Sequence, residues 1–369
     1  MELTIEELSK MGADSYALVD IRDETAYIYG HIPGAVNVPE DKLDALPQGK
    51  SVVLYCRVGL KSAELAEKLR ADGVKAYSLQ GGYVAWLRAH IGETESDEVQ
   101  RKAEECLRKK FHKELFSAFA RGIVNYRLLE PNDKVAVCIS GGKDSMLMAK
   151  LFQELQRHKK FPFELVFLVM DPGYSPENRE IIERNARLLG VPITVFETDI
   201  FENVFTIEKS PCYICARMRR GHLYHKAKEL GCNKIALGHH YDDAIETILM
   251  GMLYGGQVQT MMPKVKSANF EGMELIRPMY LIREADIKRW RDYNGLRFIQ
   301  CACRFTDTCS SCGNTGSKRQ KVKELIASLK TEDPEIEQNI FKSVENVNLA
   351  TVIAYKDKSG EKHHFLDEE

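Results

Sequence analysis

A short run rich in glycine and serine follows an apolar segment in the middle of the chain. The apolar segment spans residues 135–138, and residues 146–151 after the run have a helical pattern. The run itself consists of Ser140, Gly141, Gly142, Lys143, Asp144 and Ser145. A helix that begins here offers unpaired N–H groups and the positive end of its dipole, and glycine lets a phosphate approach the backbone closely. With the charge of Lys143 added, the run predicts a phosphate site, although its spacing differs from that of a Walker loop.

A second polar turn follows a strand-like segment at residues 234–237. It consists of Gly238, His239, His240, Tyr241, Asp242 and Asp243. Side chains just beyond a strand lie at the carboxyl edge of a parallel sheet, where α/β proteins bind their ligands. Paired carboxylates at that edge suit Mg²⁺ or a substrate contact, and Asp144 could reach the same ion. A plain helix cap is the alternative for Asp242.

The sequence contains ten cysteines, six of them in two short stretches. The clustered ones are Cys212, Cys215, Cys301, Cys303, Cys309 and Cys312. In a reducing compartment this clustering indicates metal or sulfur chemistry rather than a disulfide framework. The four later cysteines could hold Zn²⁺ by themselves, or Cys212 and Cys215 could pair with Cys309 and Cys312 in one zinc site. The isolated cysteines are interpreted as small apolar fillers: Cys106, Cys138 and Cys232.

A further cysteine, Cys56, follows the strand-like residues 51–55 and precedes a helical pattern at residues 62–69. It would therefore lie among backbone N–H groups at a helix N-terminus, with Arg57 and Lys61 beside it. All three features stabilise a thiolate. The spacing thus predicts a reactive sulfur at the start of the chain.

The elements that must position these residues alternate between strand and helix patterns, which predicts an α/β protein with parallel sheets. Residues 1–92 form a first domain in this interpretation, the acidic residues 93–98 a linker, residues 99–345 a second domain and residues 346–369 a charged tail. Residues 99–126 have one helical pattern, with apolar residues spaced four apart. These are Leu107, Phe111, Leu115, Phe119 and Ile123.

The composition restricts the class of protein. At 369 residues, with 44% hydrophobic and 29% charged residues, the chain has the composition of a soluble protein of two or three domains. No apolar run reaches the ~18 residues of a membrane helix, and the acidic N-terminus does not resemble a secretion signal. We therefore expect a cytoplasmic protein without a membrane partner.

The charge is unevenly distributed. Residues 1–98 carry 10 Lys and Arg against 17 Asp and Glu, a net charge of −7, whereas the whole chain has −2, so the remainder is near +5. Residues 209–234 hold seven of the positive side chains, with Lys264 and Lys266 as an extension. The seven are Lys209, Arg217, Arg219, Arg220, Lys226, Lys228 and Lys234. This is a face that could contact RNA phosphates, although a solvated helix surface has the same composition.

The first domain resembles rhodanese domains. The resemblance covers about ninety residues and rests on Cys56 with its loop, on residues 19–22 (Val-Asp-Ile-Arg) and on residues 30–39 around His31 and Pro33. It implies that Cys56 carries a persulfide held by the loop amides. Lys61 stands where rhodaneses usually have arginine, which keeps the charge but loses the bidentate fork. A module that only docks a partner is the alternative, and His31 is interpreted as structural.

The second domain resembles the PP-loop ATP pyrophosphatases and, across residues 100–345, the tRNA 2-thiocytidine synthetase family. The resemblance rests on the Ser140–Ser145 loop, the Gly-His-x-x-Asp-Asp turn, the Cys-x-x-Cys pair and residues 219–221 (Arg-Arg-Gly). It implies a doubly wound parallel sheet of the adenine nucleotide alpha hydrolase type. It also implies ATP and Mg²⁺, with Met170 and His239 joining the loop at the nucleotide. Cys212, Cys215 and Cys301 would hold a 4Fe–4S cluster, with Cys303 as a substitute for Cys301 and Zn²⁺ as the other metal.

Together these resemblances imply a tRNA sulfurtransferase that adenylates a base with ATP and replaces its oxygen by sulfur. Cys56, Asp144 and Asp243 are the expected catalytic residues. Cytidine is the expected base, giving 2-thiocytidine, with uridine as the alternative. The expected partners are tRNA and a cysteine desulfurase or other persulfide donor, and a homodimer is left open. Two further hypotheses are an ATP-dependent sulfur-inserting enzyme that acts on a small metabolite and a non-catalytic sulfur carrier.

Overall fold

Two β-sheets carry the chemistry-bearing turns in the computed structural model, which describes residues 1–12, 15–47, 49–90, 96–201, 211–299, 318–357 and 359–368. The described residues form two compact units. The first comprises those of Met1–His240 and Pro263–Asn314, and the second those of Tyr241–Met262 and Thr315–Glu369.

The first sheet has five parallel strands in the order β1-β5-β4-β2-β3. The strands are β1 (Glu2–Leu3), β2 (Tyr16–Asp20), β3 (Val36–Asn37), β4 (Ser51–Tyr55) and β5 (Ala76–Leu79). The helices around them are α1 (Ile5–Lys10), α2 (Glu24–Tyr29), α3 (Leu60–Ala71) and α4 (Gly82–His90), with a 3₁₀ segment at Glu40–Ala45. Four consecutive residues of β4, from Val52 to Tyr55, are almost fully buried because helices cover both faces of a parallel sheet. The predicted parallel sheet is confirmed.

The long helical stretch after the first sheet is interrupted. It consists of α5 (Ser96–Arg108), a π-helical turn (His112–Phe116) and α6 (Ser117–Asn125). The four-residue spacing of the apolar residues from Leu107 to Ile123 explains the break. An α-helix turns every 3.6 residues, so a strict spacing of four drifts around it, whereas a wider π turn returns the stripe to one side. All five residues of the stripe are buried. The prediction of one uninterrupted helix was wrong.

The second sheet has six strands in the order β10-β11-β9-β6-β7-β8. The strands are β6 (Lys134–Ile139), β7 (Glu164–Asp171), β8 (Ile193–Glu197), β9 (Lys234–Ala236), β10 (Lys264–Lys266) and β11 (Glu274–Ile276). All pairs are parallel except β10 with β11, an antiparallel edge that the sequence did not indicate. The chain runs outward from β6 through β7 to β8 and then returns to β9 on the other side of β6. The carboxyl end of β6 is therefore a topological switch point, where ligands of open α/β sheets bind.

The helices of this region are α7 (Lys143–Arg157), α8 (Pro176–Leu188), α9 (Pro211–Glu229) and α11 (Glu284–Tyr293). The second unit contains α10 (Tyr241–Gly255), α12 (Lys318–Glu332), α13 (Ile336–Ser343), a 3₁₀ turn (Leu349–Thr351), a hairpin of β12 (Ala354–Lys356) and β13 (Lys362–His364), and a 3₁₀ turn (Phe365–Glu368). Within the second unit Tyr241 stacks on Phe341 with 4.3 Å between ring centroids.

The domain limits drawn from the sequence stay predictions. Half of the proposed linker, residues 93–95, lies outside the described residues, and residues 96–98 already belong to α5. None of the helices in the described ranges is long and apolar enough to cross a membrane.

Candidate active site

The glycine loop lies between the end of β6 and the start of α7, as the sequence predicted. Its backbone is tied across by Ser145, whose Oγ accepts the Ser140 N–H at 3.1 Å and lies 3.0 Å from the Gly142 carbonyl oxygen, to which it donates. The Ser140 hydroxyl lies 3.2 Å from the same Oγ. The loop is thus held in shape by its own side chains, and Gly142, the N-cap of α7, makes no side-chain capping bond of its own.

The two glycines of the loop have different tasks. Gly141 has a φ of +84°, and a Cβ added there would lie 2.5 Å from Cγ1 of Ile182. A Cβ at Gly142 would meet three oxygens at ordinary contact distances of 3.6–3.8 Å, those of Tyr29, Ser140 and Ile299. Gly141 is therefore needed for the backbone and the packing, whereas Gly142 keeps the mouth of the loop open.

Lys143 is only 3% exposed and lies between two carboxylates. Its Nζ is 3.0 Å from Asp144 Oδ1 and 3.3 Å from Glu284 Oε1 at the start of α11. Burial alone would lower the pKa of Lys143, but the charge of Asp144, together with Tyr29 and Glu284, outweighs it and raises the pKa. Lys143 therefore carries its positive charge at the loop. Sequence reasoning did not find Glu284, because no nearby motif marks it.

The turn after β9 packs against the start of α7. A Cβ added to Gly238 would lie 3.3 Å from the backbone nitrogen of Ser145, so a larger residue would fit only if the two segments moved slightly apart. His240 Nε2 lies 3.9 Å from Asp144 Oδ1. His240 is a variable position of the predicted motif, so its closeness to Asp144 was missed. His239 lies in the same turn and is half-buried.

The remaining residues of that motif belong to the second unit. Asp242 and Asp243 lie in the first turn of α10. Asp243 Oδ1 is 3.6 Å from a guanidinium nitrogen of Arg319, whose Nε lies 3.0 Å from Glu246. A catalytic role for Asp243 stays a prediction.

Met170 lies at the carboxyl end of β7, beside the loop. The register pairs Ile139 of β6 with Val169, so Met170 is level with Ser140. Its side chain is 3% exposed and packs in the core. The next residue, Asp171, accepts the N–H groups of Gly173 and Tyr174 at 2.9 and 2.6 Å. These bonds fix the strand end, and the adenine contact expected at Met170 stays a prediction.

Ile299 brings a distant part of the chain to the loop. Its Cδ1 would lie 3.1 Å from a Cβ at Gly141, and its carbonyl oxygen accepts the Tyr29 hydroxyl at 3.2 Å. Cys301, two residues further along the chain, lies outside the described residues together with Cys303, Cys309 and Cys312.

The other candidate metal ligands lie in the first turns of α9. Cys215 is 8% exposed, and the side chain of Cys212 lies outside the described part of the chain. Residues three apart on a helix share a face. A pair of cysteines at this spacing, with Cys215 buried, suits an iron–sulfur cluster as well as Zn²⁺.

Cys56 lies at the switch point of the first sheet, between the carboxyl ends of β2 and β4. Its Sγ accepts the Gly59 N–H at 3.2 Å and lies 3.6 Å from the Ser62 hydroxyl, and the residue is 6% exposed. Lys61 is 3.6 Å from Glu40, and both side chains are exposed. The sulfur therefore has one backbone N–H donor of the predicted kind, and the Ser62 hydroxyl is a further donor that the sequence reasoning did not name.

His31 has a structural position, as expected. Its ring stacks on Tyr27 with 4.0 Å between centroids, and its Nδ1 lies 3.0 Å from the Tyr27 carbonyl oxygen.

The rhodanese-like sheet docks on the second sheet domain within the first unit. Arg88 of α4 pairs with Glu180 of α8 at 2.6 Å, and the Arg297 guanidinium lies 4.7 Å from the centre of the Trp86 ring. Tyr29 extends from the end of α2 to the glycine loop, where the Lys143 N–H donates to its hydroxyl at 3.4 Å. Sequence reasoning missed this contact because it joins residues 114 positions apart.

The basic face is smaller than the sequence indicated. Arg217 and Arg220 are exposed on α9. Lys234 is 3% exposed and forms ion pairs with Asp133 and Glu274. Lys264 pairs with Glu274 at 3.0 Å. Including Lys234 in an RNA-facing surface was therefore wrong, because Lys234 is buried and its charge is neutralised by Asp133 and Glu274.

Known proteins resemble both parts of the chain. A PP-loop domain family matches residues 107–304, and a rhodanese-like domain family matches residues 4–89. The tRNA-cytidine(32) 2-sulfurtransferase of Neisseria meningitidis serogroup C / serotype 2a is 34% identical over 254 residues, which are 67% of this chain and 76% of the relative. The enzyme of the same name from Chromohalobacter salexigens is 38% identical over 248 residues, 64% of this chain and 82% of the relative.

A solved structure shares the fold. It is the U34-tRNA thiolase NcsA of Methanococcus maripaludis with its 4Fe–4S cluster. The TM-score is 0.51 at 23% identity, over 66% of this chain and 78% of that one. At this identity the similarity supports the fold alone.

Proposed function

The chain belongs to the PP-loop family, in the group of the tRNA-cytidine(32) 2-sulfurtransferases, and we propose that it is an ATP-dependent tRNA sulfurtransferase that makes 2-thiocytidine. The observation that carries the proposal is a meeting of three segments at one sheet edge. The turn with His240 approaches Asp144 of the glycine loop, and Ile299, two residues before Cys301, approaches Gly141 and Gly142 of the same loop.

The loop would bind the triphosphate of ATP. Its N–H groups, Lys143 and a Mg²⁺ ion held through Asp144 would neutralise the pyrophosphate, while Met170 and His239 would contact the rest of the nucleotide. The C2 oxygen of the base attacks the α-phosphorus, and pyrophosphate leaves. The oxygen then belongs to an adenylate, which is a good leaving group. Asp243 is the further carboxylate that we propose for this step.

Cys212, Cys215 and Cys301 are the proposed ligands of a 4Fe–4S cluster. Three thiolate ligands would leave the cluster able to supply a binding place for sulfur. The partly described ligand set fits Zn²⁺ too, so the metal has to be measured.

Cys56 is the proposed entry point of sulfur. Its persulfide would be stabilised by the Gly59 N–H and the Ser62 hydroxyl. When the terminal sulfur of the Cys56 persulfide attacks C2, AMP leaves and the base is joined to Cys56 through an S–S bond. A thiol reductant must then supply two electrons, so that the thione is released and the reductant is oxidised to a disulfide. The persulfide itself would come from a cysteine desulfurase or a similar donor.

The proposed RNA contact lies on the helix that also carries Cys212 and Cys215. Arg217 and Arg220 are exposed one to two turns further along α9. Neutralising tRNA phosphates with these side chains should make binding strongly salt-dependent. A cytoplasmic location and a homodimer remain predictions that accompany this proposal.

The experiment combines purified protein, unmodified tRNA, ATP, a thiol reductant and a persulfide donor under anaerobic conditions. We expect AMP and pyrophosphate to form only when tRNA is present, and mass spectrometry of the nucleosides to find 2-thiocytidine. Lys143→Met should remove both products, whereas Lys160→Met, at an exposed position beyond the end of α7, should not.

The outcomes separate the alternatives. 2-Thiouridine in place of 2-thiocytidine would correct the base and keep the chemistry. AMP formation with a small thiol acceptor and without salt-sensitive tRNA binding would refute the tRNA substrate. No AMP with any acceptor would favour a sulfur carrier.

A further inference from the structure

Tyr29 of the rhodanese-like domain occupies the mouth of the glycine loop. Its hydroxyl accepts the backbone N–H of Lys143 at 3.4 Å and donates to the Ile299 carbonyl oxygen at 3.2 Å. Its ring lies 5.2 Å from the Lys143 ammonium. The phenol also lies within 3.6 Å of the position of a Cβ at Gly142. One side chain therefore covers an amide, the cation and the open glycine of the loop.

These are the groups that a triphosphate would use. Lys143 is the first residue of α7, so its N–H is one of the donors that the helix cannot satisfy itself. A phosphate oxygen and the Tyr29 oxygen cannot both take the same N–H at the same place. The Ile299 carbonyl oxygen next to them would repel the phosphate as well. Binding of the triphosphate thus requires the phenol to leave.

The phenol is a neutral hydrogen-bond donor in this position. Burial, assisted by the charge of Asp144, raises the pKa of Tyr29 to about 12, against the opposing effect of Lys143 and Arg291. The hydroxyl therefore keeps its proton at neutral pH, and its bond to Ile299 does not depend on pH there.

Tyr29 is coupled to the rest of its domain. Its carbonyl oxygen accepts a hydrogen bond from Arg291 of α11, and the neighbouring Gly30 carbonyl oxygen accepts one from Arg22 at 2.7 Å. Arg22 lies 4.1 Å from the centre of the Tyr83 ring, and the Tyr83 N–H donates to the Cys56 carbonyl oxygen at 2.9 Å. A series of contacts within one domain thus joins Tyr29 to the Cys56 loop.

We propose that Tyr29 is a gate, so that ATP binding and docking of the sulfur-carrying domain are mutually weakening. The gate rests on the proposed function, since it concerns the same nucleotide loop. ATP displaces Tyr29 and loosens the contacts of Arg88 with Glu180 and of Arg297 with Trp86. By linkage, undocking of the rhodanese-like domain tightens ATP binding by the same factor by which ATP weakens docking. Binding and release of ATP would thus control when the rhodanese-like domain, which carries Cys56, is docked on the second sheet domain.

The test is the ATP dissociation constant of the whole protein, measured by calorimetry without tRNA. Tyr29→Phe loses the two hydrogen bonds and should bind ATP roughly two- to tenfold more tightly. Tyr29→Ala also loses the ring over Lys143 and should bind more tightly still. Tyr27→Phe is the matched control, because Tyr27 lies on the same helix and donates to Ala35 within its own domain. Its affinity for ATP should equal that of the unaltered protein.

A second readout follows the docking itself. Trp86 lies at the domain contact, and Trp290, the other tryptophan, is fully buried. ATP should change the emission of Trp86 in the unaltered protein, and Trp86→Phe should remove that change. Equal or weaker ATP binding by Tyr29→Ala, with an unaltered melting temperature, would overturn the gate and leave the sulfurtransferase proposal intact. Failure of the unaltered protein and of Tyr29→Ala to bind ATP at all would overturn both.

Discussion

Gly141 and Gly142 should respond in opposite ways to the same added methyl group. At Gly141 an alanine would have a φ of +84° and a Cβ 2.5 and 3.0 Å from two carbons of Ile182. The left-handed backbone costs alanine about 1–2 kcal/mol, and overpacking costs a further ~1–3 kcal/mol. Gly141→Ala should therefore lose about 2–5 kcal/mol of folding stability, which lowers the melting temperature by roughly 4–20 °C in a domain of this size.

Gly142→Ala should leave the fold intact. Its φ of −82° and ψ of 165° suit any residue, and the added Cβ would make only ordinary contacts. The methyl group would nevertheless stand at the mouth of the loop, where the phosphate has to approach. We expect a loss of at least about tenfold in ATP affinity, which corresponds to ~1.4 kcal/mol, with an almost unchanged melting temperature.

The assay is a thermal melt followed by calorimetric titration with ATP on the same two preparations. An unchanged melting temperature for Gly141→Ala would show that the packing against Ile182 is misjudged. Normal ATP binding by Gly142→Ala would refute the assignment of the loop mouth as the phosphate site.

Two further predictions concern a buried ion pair and the metal. Lys150 is 1% exposed and its Nζ lies 2.8 Å from Glu104. Glu104→Gln should therefore destabilise the folded state by about 2–3 kcal/mol. This is less than the ~3–5 kcal/mol for breaking a fully buried pair, because the Glu104 side chain is 29% exposed. Burial alone would raise the pKa of Glu104, but Lys150, Gln100 and Arg108 lower it below 4.5. The ionised carboxylate therefore stabilises the fold above that pH, and this contribution is lost as the pH falls. From about pH 7 to about pH 3 the melting temperature should thus decrease less steeply for Glu104→Gln than for the unaltered protein. Glu105→Gln, which touches only an exposed Lys109, is the control and should change little; equal effects of the two variants would refute the reasoning. Cys215→Ala should reduce the iron bound after anaerobic purification and the visible absorbance of the cluster. Cys138→Ala is the control and should change neither, since Cys138 is a strand residue and burial raises the pKa of its thiol to about 12. Zinc in place of iron would correct the metal, and an unchanged metal content in Cys215→Ala would remove Cys215 from the ligand set.

The local parts of the site could be predicted from the sequence. A buried strand, two glycines and a helix start are adjacent in the chain, so the Ser140–Ser145 loop follows from propensity and spacing alone. Cys56 follows by the same logic, since β4 and α3 flank it directly. The parallel sheet of the second domain was indicated too, whereas its two short strands β10 and β11, of three residues each, were not.

The non-local parts could not be predicted. Tyr29, Glu284 and Ile299 approach the glycine loop from three other regions of the chain, and none carries a local signal. Charge counting failed at Lys234 for the same reason, because Glu274 in a neighbouring strand neutralises it. The π turn was missed because a stripe spaced four apart also fits a short α-helix.

The transfer of labelled sulfur from Cys56 to tRNA is the most direct test of the account. The protein is loaded with radioactive persulfide by a cysteine desulfurase, freed of donor, and mixed with unmodified tRNA, a thiol reductant and ATP for a single turnover. Label should appear in the tRNA only with ATP, and Cys56→Ser should yield AMP but no labelled nucleoside. Label that stays on the protein in the presence of ATP, or thiolation by Cys56→Ser at the unaltered rate under the same loading, would contradict it.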